Sequence, residues 1–420
     1  MKGIPMNMSA LADLDVEPGE LPATMPAWVI RQEREGLPLD AFQLEEIEVP
    51  EPGPFEVVVR VMGAGVNFNN VWAALGQPVS VFDYGDHPEH GHHIGGSDAS
   101  GIVWKVGTGV TKLKPGDEVM MNTVQYSPED IYIHGRMGLS RTLRAWGYET
   151  TWGSFAQFTK VQVQQALPRP QNLSWAESAS YGLTYFTAHR MLMQRCNLKV
   201  GDAVLVWGAA GGLGVFAVQL CAAAGANVVG VVSSEEKGEL IKQLGAVDYI
   251  DRREFGEMIR TDDNLEPSAD LARAKASRAF ARRVREILGE APDIVFEHIG
   301  RATLPTSVLT VKPMGKVVIC GATTGFQLDF DVRHLWMRQK QIVGSHGAHP
   351  YECTSANRLI ANGKVRPVLW KTMDFAGVPE AHQMLLDNKH LGKIAILVGA
   401  EDDEQGRNEP GPGAIRVGSS

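Results

Sequence analysis

The chain has 420 residues, 44% hydrophobic and 21% charged, with 40 lysines and arginines against 49 aspartates and glutamates. At about 100–200 residues per domain, that length supports two or three domains with substantial cores and excludes a disordered chain. The net charge of −9 excludes a global attraction to nucleic acid or an anionic membrane surface, so any anionic ligand must be met by a local cluster of cations.

Four cysteines, Cys196, Cys221, Cys320 and Cys353, form no CxxC pair. Neither a disulfide framework nor a cysteine-rich zinc site is expected, and a reducing cytoplasm is the simplest location. No apolar run approaches the ~20 residues needed to cross a bilayer.

Residues 1–25 are acidic, carry Pro and Gly, and lack a signal pattern; a mobile leader is expected. Period-2 strands follow at Ala27–Ile30, Gln43–Val49 and Val57–Val61, then at Gly101–Val106 and Glu118–Met121, with a turn at Lys114-Pro115-Gly116-Asp117-Glu118. Residues 26–175 therefore predict a β-rich domain. Ser174-Trp175-Ala176-Glu177 has the form of a capping box at the head of a helical segment.

From 176 to 344 strands and helices alternate. Strands are predicted at Ala203–Trp207, Asn227–Val232, Val247–Ile250, Asp293–Glu297 and Gly315–Cys320, with helices at Gly214–Ala224 and Glu235–Leu244. Such alternation implies right-handed crossovers and a doubly wound parallel sheet, so the fold class is α/β. The charged stretch 252–289 is expected to be an exposed helical insertion, and the polar, Gly/Pro-rich segment 401–420 to be disordered.

Gly208-Ala209-Ala210-Gly211-Gly212-Leu213-Gly214 follows a buried strand and opens a helix. In that context the glycines let backbone approach a pyrophosphate, and the helix N-terminus supplies free N–H groups, which predicts a dinucleotide site. About 20 residues on, where a ribose-binding acid stands in NAD sites, the chain has Ser233, Ser234 and Lys237, with Arg253 after the next strand. Hydroxyls and cations favour a 2′-phosphate, hence NADP(H). Glu235 and an ordinary solvated role for Lys237 weigh on the other side.

The turn Gly65-Val66-Asn67-Phe68-Asn69-Asn70 and the run Gly96-Ser97-Asp98-Ala99-Ser100-Gly101 lack Cys or His ligands, so metal-free hydride transfer is expected. His87, His90, His92 and His93 are read as a solvated loop.

These motifs together resemble the zinc-free medium-chain dehydrogenase/reductases, and more narrowly the crotonyl-CoA carboxylase/reductase family. The narrower likeness rests on Gly95 to Gly107, Trp146-Gly147-Tyr148-Glu149-Thr150, Phe296-Glu297-His298, Leu335-Trp336-Met337 and Gly344-Ser345-His346, and runs from about Pro26 to Val398. It implies a GroES-like catalytic domain (26–175, returning at 345–400), a Rossmann-type NADPH domain (176–344) to which His298 contributes, and a homo-oligomer, a tetramer by the same resemblance. The implied reaction is reductive carboxylation: hydride from NADPH to Cβ of a trans-2-enoyl-CoA, then attack of the Cα enolate on CO2.

By motif, the family's CO2 site falls on Asn69, Tyr148, Glu149 and His346. CO2 has no net charge and needs directed donors: an Asn amide, a backbone N–H at the aromatic position, and a His or a carboxylate-held water. Water must be excluded, because it would protonate the enolate. Taken singly, Glu149 reads as well as a buried ion-pair member and His346 as a core histidine.

Two departures from the pattern stand beside these residues. Ala145 replaces a bulky aliphatic residue and Gly347 a Phe, which implies an acyl pocket enlarged for a medium-chain or bulky 2-enoyl-CoA giving an alkylmalonyl-CoA, a polyketide extender unit. Arg333 matches a CoA-contacting Arg, and Arg282 stands where a Lys is common. A non-carboxylating enoyl-CoA or quinone reductase, and a non-catalytic NADPH-binding sensor, remain alternatives at this level.

Overall fold

The computed structural model describes residues 11, 14, 16–83, 90–259 and 267–418. The chain divides into two units, one ending at Phe186 and resuming at Gly347, the other comprising Thr187–His346. The boundaries differ from those expected at 175/176 and 344/345. Residues 176–186 stay with the first unit because Tyr181 and Tyr185 are buried there, donating to Asn357 Oδ1 (2.6 Å) and the Ala356 carbonyl (2.9 Å).

In the first unit an eight-stranded sheet is built around Glu56–Gly65, which pairs antiparallel with Asp98–Val106, Phe158–Gln162 and Lys393–Leu397. This explains why Val57, Val58, Val59 and Val61 read as a continuous apolar run: all four are fully buried. The returning strand Lys393–Leu397 closes the unit, with Ala395 opposite Gly65. A separate two-stranded pair, Val124–Gln125 with Arg144–Ala145, sets Val124 opposite Ala145.

The second unit is a six-stranded parallel sheet in the order Asp248–Asp251, Asn227–Val232, Ala203–Val206, Ile294–Glu297, Lys316–Ile319, Gln341–Gly344. The first strand in sequence thus lies beside the second on one flank and the fourth on the other. Strand order reverses there, and in open α/β sheets ligands bind beyond the carboxyl ends of the strands at such a point. The capping box is present as the sequence indicates: Ser174 accepts from the Glu177 amide and Glu177 from that of Ser174.

Four expectations need correction. The charged stretch is helical as expected, but its 22-residue helix, Pro267–Leu288, packs on the sheet by one face instead of standing exposed. Phe280 and Val284 are fully buried, and Phe280 stacks on Trp207 with centroids 5.0 Å apart. Its apolar stripe is narrow, so the many charges on the other faces hid it. Residues 260–266 lie outside the described residues.

The leader is not wholly mobile: the Trp104 indole donates to the Glu20 carbonyl and Gly19 N–H to that of Trp104, each at 2.7 Å. Residues 1–10, 12, 13 and 15 lie outside the described residues. His92 and His93 are buried rather than solvated, His93 within a strand paired to Ile30; His87 lies outside the described residues.

The segment expected to be disordered is folded as far as residue 418. Its Arg407 donates to Glu177 Oε1 (2.9 Å) and the Asn172 carbonyl (2.7 Å), Ala414 N–H donates to the same carboxylate oxygen, and Ile415–Arg416 extends the sheet beside Val368–Asp374. Residues 419–420 lie outside the described residues. Polar composition signals weak apolar driving force, but Glu177 is 1% exposed and its buried charge demands partners. We expect Arg407→Ala to lower unfolding free energy by about 1.5–3 kcal/mol, measured by urea denaturation; an unchanged midpoint would contradict the anchoring role.

Candidate active site

The glycine turn is shaped by close backbone approach. Gly208 has φ +56°, and a Cβ there would lie 2.9 Å from His298 Nε2; a Cβ on Gly214 would lie 2.3 Å from the Gly208 carbonyl oxygen. Gly211 N–H donates to the Gly208 carbonyl at 3.0 Å, and the helix Gly214–Ala223 opens at Leu213 without a side-chain cap. Gly211, Gly212 and Leu213 therefore lead into an uncapped helix start at the strand-order reversal, which suits a pyrophosphate. The residues fit a dinucleotide.

At the end of the second strand, Ser234 caps the next helix by accepting from Lys237 N–H (3.3 Å), and Ser233 is half-buried beside it. Burial and the charge of Arg252 both lower the Lys237 ammonium from its ordinary value. The expected partner cation Arg253 is instead committed to Asp251, with Nε bonded to both carboxylate oxygens at 3.0 and 2.9 Å. Arg252, its neighbour, is the cation whose charge acts on Lys237. Sequence spacing placed a cation after the strand but did not tell which of two adjacent arginines pairs backwards onto the acid.

Beneath the turn lies a buried network that the sequence marked only as a motif. Glu297, fully buried, accepts from the Ile299 and Gly300 amides (2.8 and 2.9 Å), Thr303 Oγ1 (2.8 Å) and Ser307 Oγ (3.1 Å). Ser307 in turn accepts from the Trp207 indole at 2.8 Å. Burial still raises the Glu297 carboxyl above its ordinary value despite four donors. His298 Nε2–H donates to the Trp207 carbonyl (3.0 Å), and burial lowers its imidazole to about 4. It is neutral at pH 7.

In the first unit, the helix Phe68–Leu75 and the run Gly96–Asp98 are joined rung by rung. Asn70 Oδ1 accepts from Gly96 N–H, Asn69 Nδ2 donates to Ser97 Oγ (2.7 Å), and Asn67 Nδ2 donates to Asp98 Oδ2 (2.9 Å). Gly147 (φ +70°) approaches the same run so closely that a Cβ would lie 1.9 Å from the Gly96 oxygen. Asn69 and the turn Ala145–Glu149 thus flank one Gly96–Ser97 segment.

Within that turn, Ala145 N–H donates to Glu149 Oε2 (2.8 Å), and the Tyr148 and Glu149 amides both donate to the Ala145 carbonyl (3.1 and 2.7 Å). The Tyr148 N–H expected to face CO2 is therefore used inside the turn. The Tyr148 hydroxyl donates to the Gln77 carbonyl at 3.1 Å.

Comparison with known proteins follows the same division. Residues 53–171 match the family model described as alcohol dehydrogenase GroES-like domain, and residues 212–362 that described as zinc-binding dehydrogenase. The crotonyl-CoA carboxylase/reductase of Cereibacter sphaeroides is 46% identical over 391 residues, which cover 91% of this chain and 89% of that protein. This chain belongs to the crotonyl-CoA carboxylase/reductase family.

Among solved structures, the family member AntE in complex with NADP aligns with a TM-score of 0.87 at 46% identity, covering 93% of this chain and 98% of AntE. The 2-octenoyl-CoA carboxylase reductase CinF, in complex with NADP and 2-octenoyl-CoA, has a TM-score of 0.87 at 36% identity, covering 93% of this chain and 91% of CinF.

The residues singled out by family resemblance are spread over both units. Asn69, Tyr148, Glu149, Ala145 and Gly347 belong to the first; His346, exposed, is the last residue of the second. Arg282 is exposed on the helix Pro267–Leu288, and Arg333 is exposed and bonded to both oxygens of Asp331 (2.9 and 3.0 Å). The structure brings the two departures together on a residue the sequence did not flag. Val124 pairs with Ala145, and a Cβ at Gly347 would lie 2.2 Å from Val124 Cγ2.

Gly347 also has φ +54°, so its glycine meets a backbone requirement and is not simply a deleted Phe side chain. Among the described residues, no three His, Cys, Asp or Glu come together to hold a metal ion.

Two outcomes are expected of the cofactor unit. Lys237→Ala and Arg252→Ala should each weaken NADPH binding about tenfold or more, the loss of a charge-assisted contact worth 1.5–3 kcal/mol, while Arg253→Ala has the smaller effect; fluorescence titration with NADPH and NADH checks this. The folded value of His298, about 4, lies below the ordinary 6.5, so its contribution is complete above pH 6.5 and is lost as pH falls towards 4. The slope between them is about 1.4 kcal/mol per pH unit. An imidazole NMR titration placing His298 near 6.5 would contradict this.

Proposed function

We propose that this protein is an NADPH-dependent enoyl-CoA carboxylase/reductase that converts a medium-chain or bulky trans-2-enoyl-CoA and CO2 to an alkylmalonyl-CoA. The observation that carries the reading is the Asn69 amide, held between Ser97 and Asn70 beside the Ala145–Glu149 turn. Family membership and the 2-octenoyl-CoA complex of CinF support the substrate class.

NADPH, when bound, supplies the hydride that adds to Cβ of the enoyl thioester. The substrate's charge then resides on its enolate, Cα forms the new bond to the CO2 carbon, and the charge passes to the new carboxylate with no proton consumed. The chain's part is to hold the cofactor, place CO2 and keep water out.

The glycine turn Gly208–Gly214 would cradle the pyrophosphate, Ser233, Ser234, Lys237 and Arg252 the 2′-phosphate, and neutral His298 would shape the crevice floor. Asn69 donates one Nδ2 hydrogen to Ser97, which leaves the other for a CO2 oxygen. His346 is the second proposed donor. Glu149, with Oε2 engaged by Ala145 N–H, would hold a water through Oε1, and Tyr148 would form the wall. Arg333 and Arg282 are the proposed CoA-binding cations. We further propose a cytoplasmic homotetramer; no helix among the described residues is long and apolar enough to cross a membrane.

Ala145 and Gly347 would leave room for the acyl chain around Val124. Each buried CH2 is worth about 0.8 kcal/mol, so four additional carbons favour 2-octenoyl-CoA over crotonyl-CoA by up to about 3 kcal/mol, on the order of a hundredfold in kcat/KM.

NADPH consumption with and without bicarbonate, coupled to product mass, tests the reaction: the alkylmalonyl-CoA is expected only with bicarbonate, and a simply reduced acyl-CoA under both conditions would overturn the reading. Ala145→Leu should cut kcat/KM for 2-octenoyl-CoA at least tenfold relative to crotonyl-CoA. Because a Cβ at Gly347 would meet Val124, Gly347→Phe should narrow the pocket only when combined with Val124→Ala, and even then the left-handed backbone at Gly347 should lower stability.

A further inference from the structure

The orientation of the Asn69 amide follows from its neighbours in one direction only. Gly96 N–H is a backbone donor and cannot accept. Asn70, fully buried, must therefore present Oδ1 to it, which leaves Asn70 Nδ2 to donate to Asn69 Oδ1 at 2.8 Å. With its oxygen so engaged, Asn69 must turn Nδ2 towards Ser97, whose buried hydroxyl oxygen accepts at 2.7 Å. Flipping Asn69 would set two amide donors against each other at Asn70, and flipping Asn70 would set two donors against each other at Gly96.

The run that starts this relay is itself held in place. Gly96 has φ +106°, and a Cβ there would lie 2.1 Å from Ser154 Oγ. The Ser154 and Phe155 amides donate to the Gly96 and Gly95 carbonyls, each at 3.0 Å, and Thr123 Oγ1 donates to the Ser97 carbonyl at 2.9 Å. Asp98 is fixed by Asn67 and by Lys393 Nζ at 3.1 Å. The donor direction of Asn69 therefore has its origin in rigid backbone.

We propose that Asn70 and Ser97 are positioning residues that hold the Asn69 carboxamide as a hydrogen-bond donor and so set the partition of the substrate enolate between CO2 and a proton. This rests on the carboxylase/reductase reading above. With Asn69 directed, the enolate Cα bonds to the CO2 carbon and the product carries a carboxylate. With Asn69 free to rotate, CO2 is held less often and Cα takes a proton from water, giving the reduced acyl-CoA. Hydride transfer and NADPH binding, which belong to other groups, are not altered.

The test measures product composition and KM for CO2 in the full-length enzyme. Ser97→Ala is expected to raise KM for CO2 at least tenfold and to increase the reduced-to-carboxylated ratio correspondingly, with KM for NADPH unchanged; Ser97→Thr, which keeps the hydroxyl, restores the wild-type ratio. Asn70→Asp, which can still accept from Gly96 but cannot donate to Asn69, should act in the same sense.

Combining Ser97→Ala with Asn69→Ala should give no larger change than Asn69→Ala alone, because one acts through the other. An unchanged product ratio in Ser97→Ala, equal losses of NADPH oxidation and carboxylation, or additive effects in the double variant would overturn the proposal while leaving the reaction assignment standing. A wild-type enzyme that forms only reduced acyl-CoA would overturn both, and is recognised before any variant is made.

Discussion

The arrangement of the first unit depends on a charge pair placed where water cannot reach it. Lys393 and Asp98 are 2% and 0% exposed, with Nζ and Oδ2 3.1 Å apart. Lys393 also donates to the Val66 carbonyl and Asn67 Oδ1, while Asp98 accepts from the Leu183 amide. Burial lowers the lysine's affinity for its proton, and the charge and hydrogen bond of Asp98 act in the opposite sense. Such a pair gains little net stability over apolar residues, but removing one partner typically costs about 3–5 kcal/mol. Its main effect is geometric. It ties the strand that returns after residue 390 to the turn after Gly65 and to the run Gly96–Asp98.

From that tie the Asn69 environment follows. Asn67 is shared between the pair and the ladder, so the register of the helix Phe68–Leu75 against Gly96–Asp98 is set by the same contacts that bury the charges. Gly147 and Gly96 then allow a second backbone turn to pack directly against the run. A side chain at either position would have to displace backbone. The second unit follows the same logic with different groups: Glu297 gathers four donors so that the ends of two strands and the loop after them are fixed, and His298 fills the space that Gly208 leaves.

Much of this was legible along the chain, because it depends on local patterns. The alternating strands and helices, the Gly208–Gly214 turn and the Ser174 capping box are set by neighbours within a few residues. Contacts between distant segments were less legible. The helix Pro267–Leu288 reads as solvated because its buried stripe is narrow, and the tail reads as disordered because the buried Glu177 that recruits Arg407 is 230 residues away. Ser97 and Asn70 lie inside recognised motifs that give them no role of their own, and Val124 carries no sequence signal. Each matters because of what faces it.

The sequence by itself determined the two-unit α/β organisation, the family, the dinucleotide turn and the residue types available for chemistry, since each of these is written in local spacing or in motifs. Only the tertiary structure decided which cation's charge acts on Lys237, that the Tyr148 amide is used within its own turn, that Gly347 is held by a left-handed backbone against Val124, and which way Asn69 points. The physical reason is common to all four. Hydrogen-bond direction and steric approach depend on a partner's position in space, which the folded backbone sets even where the partner is near in sequence, as Ala145 is for Tyr148.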